Sequence, residues 1–170
     1  RRVRVVRQHL ADVLLADYRR QSHVTIGVCG FPASVRHHED DFLPVDLVKQ
    51  LQALHAVHMQ PFSIEITGPD SFEAAPFLHV VDCDQGIERL RVCLGAASRE
   101  YEGFSYTPHL TVGLYGEIRP RAHVFEHLEC FRGLEPLRQD VRCLHWVSYD
   151  ATDIGGPLRV LATFDLKRKR

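Results

Sequence analysis

At 170 residues the chain is long enough for one domain with a real core, or for two small lobes sharing one. Its 45% apolar and 25% charged residues are ordinary for a globular protein, and 21 basic against 22 acidic side chains exclude a broad non-specific nucleic-acid surface. No stretch approaches the roughly 20 apolar residues of a membrane span, so no membrane contact is expected. No signal peptide is visible, although the sequence starts at Arg1 without a Met. The five cysteines are odd in number, widely spread and form no C-x-x-C pair, which points to reduced thiols in a cytoplasmic protein.

Val3 to Tyr18 carries apolar residues at helical spacing and ends in Arg19-Arg20, basic residues that suit a helix C-terminus. His23 to Gly30 alternates as a strand, and Arg36 to Asp41 reads as a polar loop. Pro44 opens a helix over Val45 to Met59, with Val48, Leu51, Leu54, Ala56 and Val57 as its apolar stripe. Phe62 to Thr67 is predicted as a strand stopping at Gly68-Pro69, and Ala75 to Asp82 as another. A helix over Asp84 to Glu100 follows, then a strand from Thr107 to Tyr115, then a helix from Pro120 to about Phe131. Val141 to Tyr149 and Leu158 to Leu166 are strands joined through Gly155-Gly156-Pro157, a hairpin signal. Trp146 reads as core, and Lys167 to Arg170 as a solvated tail.

One octapeptide pattern occurs twice, as His23-Val24-Thr25-Ile26-Gly27-Val28-Cys29-Gly30 and as His109-Leu110-Thr111-Val112-Gly113-Leu114-Tyr115-Gly116. In a strand the aliphatics of each copy point to one face, while His, Thr and the first Gly line the other. Each His then lies about 6–7 Å from its Thr, and the Gly leaves room for a ligand or another backbone. The elements around the copies repeat in the same order. The expected architecture is therefore α+β: one domain over 1–170, built of two pseudo-symmetric lobes. Two mainly antiparallel sheets flank a central groove, with the helices outside.

Paired His-x-Thr strands about half a chain apart resemble the two-histidine (2H) phosphoesterase superfamily, in its bacterial 2′–5′ RNA ligase-like branch. In place of the strand that usually precedes the first helix there, this chain offers only Arg2 to Val6. The resemblance implies a metal-free phosphodiesterase acting on RNA ends, on a 2′,3′-cyclic phosphate or a 2′–5′ linkage, with no cofactor. It makes His23 the acid that protonates the leaving oxygen and His109 the base that activates water. The residues alone leave those two roles interchangeable. Imidazole suits either task near neutral pH, and the hydroxyls of Thr25 and Thr111 are expected to donate to the non-bridging oxygens. Ligation by the same groups in reverse is open, as is a non-catalytic nucleotide sensor using the same groove. The expected partner is an RNA terminus or small nucleotide, and the expected state a monomer.

Tyr115, Phe31 and Tyr106 are the substrate-binding candidates, as aromatics near the groove able to stack on a base, with ordinary packing as the competing reading. Arg36, Arg119 and Arg121 follow the motif strands and are weaker candidates for flanking phosphates. His123-Val124-Phe125-Glu126-His127 spells H-x-x-E-H, whose two histidines are able to share a helix face and bind zinc. As a peptidase motif it lacks a downstream acidic ligand, so no metal is expected there. His55 and His58 lack a third ligand, and His37-His38 read as surface. No phosphate-binding glycine loop or serine elbow is present.

Overall fold

The computed structural model describes residues 1–98, 106–117 and 121–166. The predicted helix end at Glu100, Arg119, Pro120 and the basic tail lie outside these residues, as does the side chain of Arg121. The fold is α+β with mainly antiparallel sheets. The elements are α1 (Arg2–His9), β1 (Phe31–Pro32), β2 (Asp41–Phe42), α2 (Pro44–Ala56), β3 (Phe62–Ser71), β4 (Pro76–Asp82), α3 (Gly86–Ala97), β5 (His109–Thr111), α4 (Arg121–Glu129), β6 (Leu137–Val141), β7 (Cys143–Ser148) and β8 (Arg159–Asp165).

The main sheet runs β5-β4-β3-β6, all antiparallel, and β7-β8 form the hairpin expected around Gly155-Gly156-Pro157. The short strands β1 and β2 pair in parallel beside the loop between them. β3 runs on through Gly68-Pro69 instead of stopping there. A register shift between Ile66 and Pro69 lets the chain pass, and β6 pairs only with Phe62 to Ile66, so the missing Pro69 N–H breaks no bond on that side. β6 itself was hidden in the sequence, because its Leu137-Arg138-Gln139-Asp140 carries almost no apolar signal.

Two sequence expectations need correction. The helix over Val3 to Tyr18 ends at His9. Beyond a turn, Leu15 N–H donates to the Leu114 carbonyl at 2.8 Å and Gly116 N–H to the Val13 carbonyl at 3.1 Å, so strand-like pairing takes backbone groups a longer helix would need. The same helix leaves Arg2 to Val6 unavailable as a leading strand. Secondly, residues 22–30 join no ladder. Two of their carbonyls are met by side chains instead: the Tyr106 hydroxyl donates to Thr25 and the Arg91 guanidinium to Ile26.

One apolar cluster takes residues from both the main sheet and the hairpin. Val6 and Leu10, Leu54 of α2, Leu78 of β4, Leu90 of α3 and Val112 are all sealed from solvent. Each such side chain contributes roughly 1.5–3 kcal/mol by leaving water. In α2 the buried line is Asp46, Gln50 and Leu54, whereas Val48 and Val57 of the expected stripe are exposed. Gln50 is accommodated inside by polar partners: its amide accepts from Trp146 Nε1 at 2.6 Å and donates to Ser98 Oγ at 2.6 Å. Trp146 is core, as expected. All five cysteines are free thiols.

Candidate active site

The second motif obeys its alternation. Leu110 and Val112 are buried in the core, and across the β4–β5 pair Phe77 faces Thr111, Leu78 faces Leu110 and His79 faces His109. Parity puts Phe77, His79, His109 and Thr111 together on the face opposite Leu78 and Leu110. The His109 ring stands edge-on to Phe72 at 4.9 Å and lies 5.5 Å from Phe77, while those two phenyl rings stack at 4.1 Å. Phe77 is buried and Phe72 is 41% exposed, so Phe72 presents an aromatic surface to solvent beside the imidazole.

Both motif histidines are fixed by the same local bond. His109 Nδ1 lies 2.7 Å from the Thr107 carbonyl and His23 Nδ1 lies 2.8 Å from the Gln21 carbonyl, each two residues back. A carbonyl only accepts, so Nδ1 carries the proton in both rings, and Nε2 is left to act. His58 makes the same local bond to Ala56, so the bond alone is no signature. What sets 23 and 109 apart is a threonine two residues on. Neither Thr25 nor Thr111 has its hydroxyl engaged by another group among the described residues.

The two motif segments are clasped together. Tyr106, three residues before His109, donates from its hydroxyl to the Thr25 carbonyl at 2.8 Å. The Arg91 guanidinium lies 3.8 Å over the Tyr106 ring and bonds the neighbouring Ile26 carbonyl. Tyr106 is thus engaged through both its ring face and its hydroxyl, which leaves it little freedom to stack on a base. In the second motif Gly113 does not leave room for a ligand. A Cβ there would lie 3.0 Å from Leu14 Cδ1, so the space is filled by the N-terminal segment.

Of the other sequence candidates, Tyr115 adjoins the Phe72 wall through Ser71. Tyr115 is half-buried, its hydroxyl 2.6 Å from Ser71 Oγ, and burial raises its pKa, so it stays a neutral hydroxyl. Phe31 is 54% exposed beyond Gly30. Arg36 is held by Asp46 at 2.7 Å, at the first turn of α2, where the same carboxylate accepts the Leu43 N–H. The sequence reading passed over Phe72, His79 and Asp70. His79 Nε2 lies 3.1 Å from an Asp70 carboxylate oxygen, next to His109. Parity along β4 hinted at His79, but only the strand register sets it opposite His109.

A family model described as the 2'-5' RNA ligase superfamily matches residues 1–153. No curated protein matches the chain.

Proposed function

The chain belongs to the 2'-5' RNA ligase superfamily, the two-histidine phosphoesterases, and we propose that within it this protein hydrolyses 2′,3′-cyclic phosphate or 2′–5′-linked RNA ends. The observation that carries this reading is the matched state of the two motifs among the described residues: an imidazole locked through Nδ1, a free Nε2, and an unengaged threonine hydroxyl beside it.

The tautomers define the starting state. With Nδ1–H given to Thr107, neutral His109 accepts a proton at Nε2 from the attacking water, whose oxygen forms the new bond to phosphorus. His23, protonated on both nitrogens, gives its Nε2 proton to the ribose oxygen as the P–O bond breaks. The products leave with His109 charged and His23 neutral, the opposite of the state in which the cycle begins. Exchange with water resets the pair. Thr25 and Thr111 donate to the non-bridging oxygens, whose charge grows in the transition state. The His79–Asp70 pair supports the wall next to His109, and exposed Phe72 is the surface best placed for a nucleobase.

The five free thiols suit a cytoplasmic setting. Among the described residues no helix is long and apolar enough to cross a membrane. The competing reading, a nucleotide sensor without turnover, is favoured by no particular residue, since both imidazoles keep a free Nε2. Phosphorus NMR with a nucleoside 2′,3′-cyclic phosphate separates the two. Hydrolysis to a single monophosphate isomer, lost in His23→Ala and His109→Ala variants that still fold, supports the enzyme. Binding without turnover supports the sensor.

A further inference from the structure

On the helix-covered side of the main sheet, away from the face that carries His109, three ligand-type side chains converge. His123 and His127 of α4 and Asp12, in the turn after α1, offer ring nitrogens and a carboxylate oxygen that all lie within 4.8 Å of one another. The two imidazoles are 4.6 Å apart, centroid to centroid, as i, i+4 spacing on one helix face requires. Their neighbours Val124 and Leu128 are buried in the core and anchor that face.

A second observation points to a ligand. Nδ1 of His123 and Nδ1 of His127 are both shut off from solvent and have no hydrogen-bond partner among the described residues. Buried polar atoms in folded proteins are nearly always satisfied, and two orphans on adjacent rings share one remedy. The two nitrogens do not bond each other in the structure. A cation between them satisfies both lone pairs at once and suits the Asp12 carboxylate.

We propose that Asp12, His123 and His127 form a binding site for a divalent transition-metal ion, with zinc as the best match to two imidazoles and one carboxylate. Water completes the coordination. At a Zn–N length of about 2.0–2.1 Å, tetrahedral ligand atoms lie roughly 3.3 Å apart, so the ion draws the three groups inward. Asp12 is exposed and also lines a shallow surface pocket with Leu15, Gly116 and Glu117, which provides an access route. The site joins α4 to the segment that follows α1, so its role is to tie those elements together. The H-x-x-E-H pattern is thereby explained without a peptidase. The third ligand comes from upstream, and Glu126 is exposed on the helix instead of joining the cluster.

The test uses the full chain, stripped with a chelator and desalted, then titrated with zinc chloride in a calorimeter and with cobalt(II) in a spectrophotometer. The expected result is one ion per chain, visible cobalt bands without a thiolate charge-transfer band, and a rise in Tm with zinc. His127→Gln and His123→Gln should weaken binding by more than the roughly 10–100-fold typical of losing an outer-shell partner. Asp12→Asn, a change at an exposed position, should weaken it without disturbing the fold, and Cys143→Ser should leave it unchanged. Absence of zinc binding, unaltered affinity in folded Asp12→Asn and His123→Gln variants, or a cobalt spectrum dominated by thiolate would overturn the proposal.

Discussion

The clasp between the two motifs is best probed by Tyr106→Phe. The change deletes one hydroxyl, the donor lying 2.8 Å from the Thr25 carbonyl, and keeps the ring under the Arg91 guanidinium. A hydrogen bond between neutral groups contributes about 0.5–1.5 kcal/mol net, and the partly buried carbonyl keeps some access to water. At about 2–4 °C per kcal/mol for a chain of this size, Tm should fall by only a few degrees. The catalytic effect should be larger. Thr25 and His23 lie on a segment that no neighbouring strand holds among the described residues, so loosening its carbonyl shifts both side chains relative to His109. Misplacement by about 1 Å costs up to ~100-fold in rate. Steady-state hydrolysis of a cyclic nucleotide, run beside a thermal melt, should show kcat dropping by more than tenfold, by the same positional argument, with KM little altered. A melt that shifts while kcat stays at the wild-type value would refute the reasoning, because the clasp would then serve stability alone.

Thr111→Ala should leave Tm nearly unchanged and cut kcat by roughly 100–1,000-fold, as for the loss of a donor to a charged transition state; an unchanged kcat in the same assay would remove Thr111 from the site. Gly30→Ala should destabilise by on the order of 1–3 kcal/mol or more in urea unfolding, since Gly30 has φ +106° and a Cβ there meets the Asp40 carbonyl oxygen at 2.0 Å. Backbone N–H bonds from His38 and His37 hold the Asp41 carboxyl below its ordinary range. Such a lowered pKa adds stability above the unfolded value near 3.9, and the gain is lost as pH falls through the folded pKa. Asp41→Ala should therefore lower Tm at neutral pH, with the gap to wild type closing in acid; a gap that is constant with pH would contradict this.

Much of the fold was legible wherever a local pattern sufficed. The alternation of Leu110 and Val112 against His109 and Thr111 correctly set which side faces the core, and Gly155-Gly156-Pro157 marked the β7–β8 turn. What failed was decided by groups distant in sequence. Val3 to Tyr18 has a sound helical stripe, yet Leu114 and Gly116 capture the backbone of Val13 and Leu15. The first motif has the same alternation as the second, but side chains of Tyr106 and Arg91 stand where a neighbouring strand was expected. The His79–His109 pairing depends on register, and the orphaned nitrogens of α4 depend on helix packing. No local period encodes either.

The pairing of residues 13–15 with 114–116 has a consequence for the order of events during synthesis. Arg7 bonds the Val112 carbonyl, Leu15 bonds Leu114, and Gly116 returns to Val13. Each of these partners emerges from a ribosome only after some hundred intervening residues. Residues 7–15 must therefore wait for partners about a hundred residues further along the chain. Contacts of such long sequence separation slow folding and leave apolar surface such as Leu10 open to chaperones in the interval. Ribosome-stalled chains arrested before and after Gly116 clears the exit tunnel should differ sharply in protease resistance across residues 1–15.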